Sequence, residues 1–147
     1  MQRLNIFLIA ICCVVSTFLP SVQAQEVKRT TLATGHFLLG TWQLSVPNMA
    51  CHETYKFKVD GTVAMTSGEQ VGESEFEIDT RPGSGPFLRW VDRLIKDNGE
   101  LDCLGFKAEV GHVATNYIYV VGNDRFVVCR EQNTKKCSQL FVRQGKD

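Results

Sequence analysis

The chain has 147 residues, with 16 Lys and Arg against 16 Asp and Glu, and 44% of it is hydrophobic. That balance suits one globular domain, being too apolar for a disordered chain and too charged for a membrane bundle. A formal net charge of zero with no basic stripe excludes nucleic acid as an expected partner.

Residues 1–24 read as a signal peptide. Arg3 supplies the positive lead, Ile6 to Leu19 is almost wholly apolar, and Val22 and Ala24 place small side chains before a cleavage point at Gln25. A run of about 14 residues is short of the roughly 20 that span a bilayer. Ile11 before Cys12 does not suit lipid attachment. The expectation is an exported protein, periplasmic or secreted, with 25–147 as one domain and no membrane anchor after cleavage.

Cleavage leaves Cys51, Cys103, Cys129 and Cys137, an even set that reads as two disulfides in an exported domain. A zinc site would want cysteines two to four residues apart, and the closest pair here is eight apart. Cys129 and Cys137 flank the turn residues Asn133-Thr134 evenly, which predicts a bridge across a hairpin and leaves Cys51 for Cys103.

Gln25 to Thr34 is polar and featureless and reads as a mobile lead-in. Beyond it the chain alternates with a period of two. Trp42, Leu44 and Val46 share one face; Tyr55, Phe57 and Val59 share the next, and Asp60-Gly61 signals a hairpin into Val63 and Met65. Glu73, Glu75 and Glu77 alternate with Ser74, Phe76 and Ile78, and mutual repulsion predicts that the acidic face is in water.

Arg81 to Pro86 is a loop. Residues 87–96 fit a helical stripe by local pattern, but the strands on either side favour a strand. Asn98-Gly99 then reads as a hairpin turn leading to Leu101-Asp102-Cys103. The last third carries strands at Asn116–Val121, Arg125–Arg130 and Ser138–Arg143. The fold class expected is all-β: a single antiparallel up-and-down barrel of about eight strands, with an open sandwich as the alternative.

Gly40-Thr41-Trp42 on the first strand resembles the G-x-W signature of lipocalins and the wider calycin group. The resemblance implies that Trp42 closes the barrel floor and that Arg143, after the last apolar run, packs over it. It rests on those two positions and the strand count, and the lipocalin signature between the middle strands is missing.

No catalytic constellation is visible. There is no G-x-S-x-G, no two histidines stand at i, i+4, and no phosphate-cradling glycine loop opens a helix. A non-enzymatic protein without metal or cofactor is therefore expected. It would bind a small apolar ligand inside the barrel or, as a filled barrel, act through its surface as an inhibitor or immunity-type protein. Tyr55, Phe57, Met65 and Trp90 are the candidate lining. Glu53 shares the parity of Tyr55 and Phe57 and, if the strand reaches it, either pairs with a buried Arg or contacts the ligand; it is exposed if the strand starts at Thr54. His52 and the Arg81–Pro86 loop are further candidates for polar groups at the mouth. The basic tail from Gly122, set against the acidic Gly68–Asp79 segment, predicts a charge-asymmetric surface able to steer a protein partner.

Overall fold

A computed structural model describes residues 26–79 and 85–145; the signal peptide read at 1–24 lies outside them. Among the described residues eight strands close into an antiparallel barrel, each paired with its neighbour in sequence and the last with the first. The strands are β1 (Gly40–Ser45), β2 (His52–Phe57), β3 (Thr62–Ser67), β4 (Gln70–Asp79), β5 (Phe87–Asp97), β6 (Val113–Gly122), β7 (Arg125–Cys129) and β8 (Cys137–Gln144). Closure leaves no unpaired sheet edge, which the open sandwich would have exposed.

The alternation behaves as a pleated strand requires. Trp42 and Leu44 on β1, Phe57 on β2, Val63 on β3, Phe76 and Ile78 on β4, Ile118 on β6, and Phe126 and Val128 on β7 are all buried in one core. Residues 87–96 lie within β5, so tertiary pairing overrides their local helical stripe. The Asp60-Gly61 turn joins β2 to β3; Asp60 Oδ1 accepts from Thr62 N at 3.0 Å and Thr62 Oγ1 at 2.7 Å, and Gly61 has φ +78°.

Three expectations are corrected. The lead-in is not loose: residues 26–32 strap across the sheet, with Val27 and Leu32 buried. Thr30 N donates to Phe76 O at 2.8 Å and Leu32 N to Val59 O at 2.9 Å. Leu101-Asp102-Cys103 is not a strand but part of a loop, 98–112, that runs between β5 and β6. The Glu row is not solvated either. Glu75 is only 7% exposed and pairs with Arg29 and Arg93, while Glu73 bridges Lys58 at 2.7 Å and Lys96 at 2.8 Å. Mutual repulsion is answered by cations from β5, the β2–β3 turn and the strap, so the expected acidic side is largely neutralised.

One end of the barrel is shut. Trp42 is fully buried and its Nε1 donates to Leu38 O at 2.8 Å. The Arg143 guanidinium carbon lies 4.1 Å from the centroid of the Trp42 ring. Its nitrogens donate to Leu39 O at 2.7 Å, Phe37 O at 2.5 Å and Asp124 Oδ1 at 3.0 Å. The three bonds leave from three different nitrogens of a planar fork, a spread that the single nitrogen of a lysine does not have.

The other end carries both disulfides. Cys51–Cys103 ties the β1–β2 turn to the 98–112 loop, with Cα atoms 5.8 Å apart, and Cys129–Cys137 joins facing residues of β7 and β8. Two such bonds are compatible with an oxidising, exported setting.

Candidate functional site

Above the floor, aromatic rings fill the barrel. Phe126 stacks on Phe141 with centroids 4.7 Å apart and meets Trp42 at 4.6 Å; Phe57 meets Phe76 at 5.4 Å and Trp90 at 5.6 Å. Edge and offset arrangements of this kind pack to core density and add to the burial term.

Nearer the disulfide end the filling stops. A cavity of about 310 Å³ opens there, walled by Tyr55, Met65 and Trp90 with Asp92, Asn116, Arg130, Gln139 and Phe141. At about 30 Å³ per water, that is room for about ten waters, or a ligand with on the order of ten heavy atoms. Small residues in the wall set where bulk is missing and where Met65 lies. Asp92 faces Ala114 across β5 and β6, and Met65 faces Gly72, where a Cβ would stand 2.8 Å from Met65 Cε.

Two candidates from the sequence lie elsewhere. Phe57 is 2% exposed and sits below the cavity against Phe76 and Trp90, because β2 runs toward the closed end and its last residue reaches the filled half. Glu53 faces inward within β2 but is held by protein groups. Tyr55 Oη donates to its Oε2 at 2.7 Å and Ser67 Oγ to its Oε1 at 2.8 Å, while Cys103 N donates to Ser67 Oγ at 3.0 Å. Its role is to link the 98–112 loop to the barrel wall. Burial, with the Glu53 charge beside it, holds the Tyr55 hydroxyl well above its usual range.

Neither His52, at the open end of β2, nor the described residues of the Arg81–Pro86 loop line the cavity. His52 is exposed and approaches Ser45 Oγ at 3.4 Å. Residues 81–84 lie outside the described part, and their flanks, Asp79 and Phe87, are at the closed end. Strand direction forces this, since β4 runs from mouth to floor and β5 returns.

The polar wall residues were not singled out from the sequence, although a signal was present. With 87–96 taken as a strand, Asp92 has the parity of Trp90 and must face inward. Asn116 stands likewise with Ile118, and Gln139 with Phe141. A charged or amide side chain at an inward position of a barrel strand marks either a buried network or a site.

The electrostatics of the cavity are set by three groups. The Asp92 carboxyl is pushed up to about 6 by burial, against the opposing pull of His112 and a hydrogen bond with Ser74. Arg130 stands exposed at the rim and has no ion-pair partner among the described residues. Trp90 is 5% exposed, and its Nε1 is the one buried side-chain nitrogen or oxygen among the described residues with no hydrogen-bond partner. Leaving a buried donor unpaired costs about 1–3 kcal/mol. Among the described residues no cluster of His, Cys, Asp and Glu has a metal-holding arrangement.

No family model, no curated protein and no solved structure matches the chain.

Proposed function

We propose that this protein is an exported, lipocalin-like carrier that holds one small ligand in the half of the barrel facing the disulfides, and that it binds without chemistry. The observation that carries the reading is the cavity at the open end, bounded below by a packed aromatic core and walled in part by Trp90, Asp92, Asn116 and Gln139. Tyr55, Met65 and Phe141 give the ligand an apolar bed, and Asn116, Gln139 and Asp92 orient it, so the occupant is amphipathic rather than purely apolar. The floor of Trp42 under Arg143 supports the calycin likeness, since it keeps the barrel open at one end only. The signal-peptide pattern at 1–24 and the two disulfides support export.

A fragment library of about ten heavy atoms per compound, screened by nitrogen-proton correlation spectra, tests this reading. Binders should move the Trp90 indole and the Asn116 and Gln139 amide resonances together, with one-to-one stoichiometry. A library that leaves all three unmoved overturns the carrier reading.

One observation favours the second reading, action through the surface. Leu101, Leu104, Phe106 and Val110 are 45%, 56%, 67% and 62% exposed in the single 98–112 loop that Cys103 anchors. Apolar side chains gathered on one tethered loop are a feature of protein-contact surfaces. Retention of a partner from the exported fraction by the intact protein, lost on Phe106→Ser, is the outcome that reading requires.

A further inference from the structure

We infer that the ligand is a small zwitterion, its ammonium group seated on the Asp92 carboxylate and its anionic group at the Arg130 guanidinium. The inference rests on the carrier reading and adds the ligand's chemical class.

Asp92 and Arg130 line the same cavity of about 310 Å³, yet no ion pair joins them; Asp92 keeps a hydrogen bond with Ser74 and an attraction to His112, and Arg130 has no ion-pair partner among the described residues. Two opposite charges that share a void but do not touch form a bipolar site. A cation alone meets Arg130 at the rim, and an anion alone meets Asp92 within; a molecule carrying both charges meets each in its favourable sense.

The wall between them fits the same occupant. Asp92 faces Ala114, whose single methyl leaves its carboxylate accessible, and Trp90 is paired with Asn116 on the adjoining rung. The ammonium is thus taken on the Asp92 side, with the Trp90 ring and Asn116 in the same stretch of wall. Phe141 and Tyr55, in contact at 5.1 Å, offer a ring surface to the ligand's apolar part. Glu53 is not among the residues lining the cavity, and its two oxygens accept from Tyr55 and Ser67. The size of the void suits a single ring or a shorter molecule within the wall.

Four probes of nearly equal bulk separate the possibilities: phenylalanine (both charges), phenethylamine (cation), 3-phenylpropionate (anion) and 2-phenylethanol (neutral). Titrated into the intact protein by calorimetry at neutral pH, phenylalanine should bind about tenfold more tightly than either singly charged probe, the gain of one charge-assisted hydrogen bond. Asp92→Asn should bring phenylalanine down to the level of 3-phenylpropionate, and Arg130→Gln should bring it down to that of phenethylamine. Because Arg130 is exposed, its replacement leaves the core untouched and keeps the test readable even if the Asp92 variant folds poorly. Equal binding of all four probes overturns the charge assignment and leaves the carrier reading standing. Phenethylamine matching phenylalanine overturns the Arg130 contact, and 3-phenylpropionate matching it overturns the Asp92 contact. If none of the four binds while unrelated fragments do, the zwitterion is overturned; if no compound of any kind binds, both readings are.

Discussion

Asp92 and Ala114 stand opposite each other on β5 and β6, and this pairing of a carboxylate with a methyl is where the barrel stops being full. Replacing the methyl with a large side chain should close the cavity from within. Ala114→Trp is expected to reduce fragment binding at least about tenfold while the protein stays folded, since the new bulk enters existing space rather than a packed core. Binding that survives this substitution places the ligand elsewhere.

The same carboxylate sets a pH dependence. Its value is raised from 3.8 to about 6, so between those values the folded protein binds more protons than the unfolded chain, and stability falls as pH rises through that window. The difference corresponds to on the order of 3 kcal/mol at about 1.36 kcal/mol per pH unit. Ser74 from β4, His112 ahead of β6 and Tyr55 on β2 interact with Asp92, and Arg130 beyond β7 lines the same cavity; the His112 interaction and the Ser74 hydrogen bond oppose the shift. Denaturant midpoints measured from pH 4 to pH 7 should drop for the native protein and stay level for Asp92→Asn. Parallel curves would show that Asp92 does not titrate in this window. Glu73 works in the opposite sense and in a lower range. Its partners Lys58 and Lys96 bring it from 4.5 to about 2, so its contribution is present above 4.5 and lost as pH falls toward 2.

Trp42→Ala is expected to cost about 3–5 kcal/mol, as for a large core truncation. Arg143→Ala should cost less but red-shift the tryptophan emission by admitting water to the indole. Arg143→Lys should rescue little, because its single nitrogen lacks the spread with which the fork meets Leu39 O, Phe37 O and Asp124. Full rescue by lysine would mean that charge alone, and not the fork, seals the floor.

Replacing Cys51 and Cys103 with serine should destabilise more than replacing Cys129 and Cys137. In the chain-entropy account a separation of 52 residues contributes about 4 kcal/mol and one of eight about 2.5 kcal/mol. Chemical denaturation of the two double variants gives the order directly, and a reversed order would show that strand pairing already constrains the unfolded chain near Cys51.

Much of the fold was legible because barrel strands advertise themselves twice, in the period of two and in the turns that separate them. Tyr55 and Phe57 reveal the inner face of β2 whatever lies around them. The strap at 26–32 was not legible, because Val27, Thr30 and Leu32 are ordered by groups about 27 to 48 residues away rather than by their own pattern. The burial of Glu75 depends likewise on Arg29 and Arg93, which no local window brings together. For the site, parity places a residue inside the barrel but not at a height within it. Phe57 and Trp90 therefore read alike, although one belongs wholly to the packed half and the other also lines the cavity.

The seam between β1 and β8, where Trp42 pairs with Arg143, has a kinetic consequence. Every other pairing in the barrel joins consecutive strands and can zip from a neighbouring turn; this one must gather residues about a hundred apart before any contact rewards the closure. The floor is therefore the last part of the molecule to form. Substitutions at Trp42 should accelerate unfolding and leave the folding rate nearly unchanged, with φ near zero, whereas substitutions in the β3–β4 hairpin should slow folding. The residues that seal the native barrel thus act as a latch on its lifetime rather than as a nucleus for its assembly.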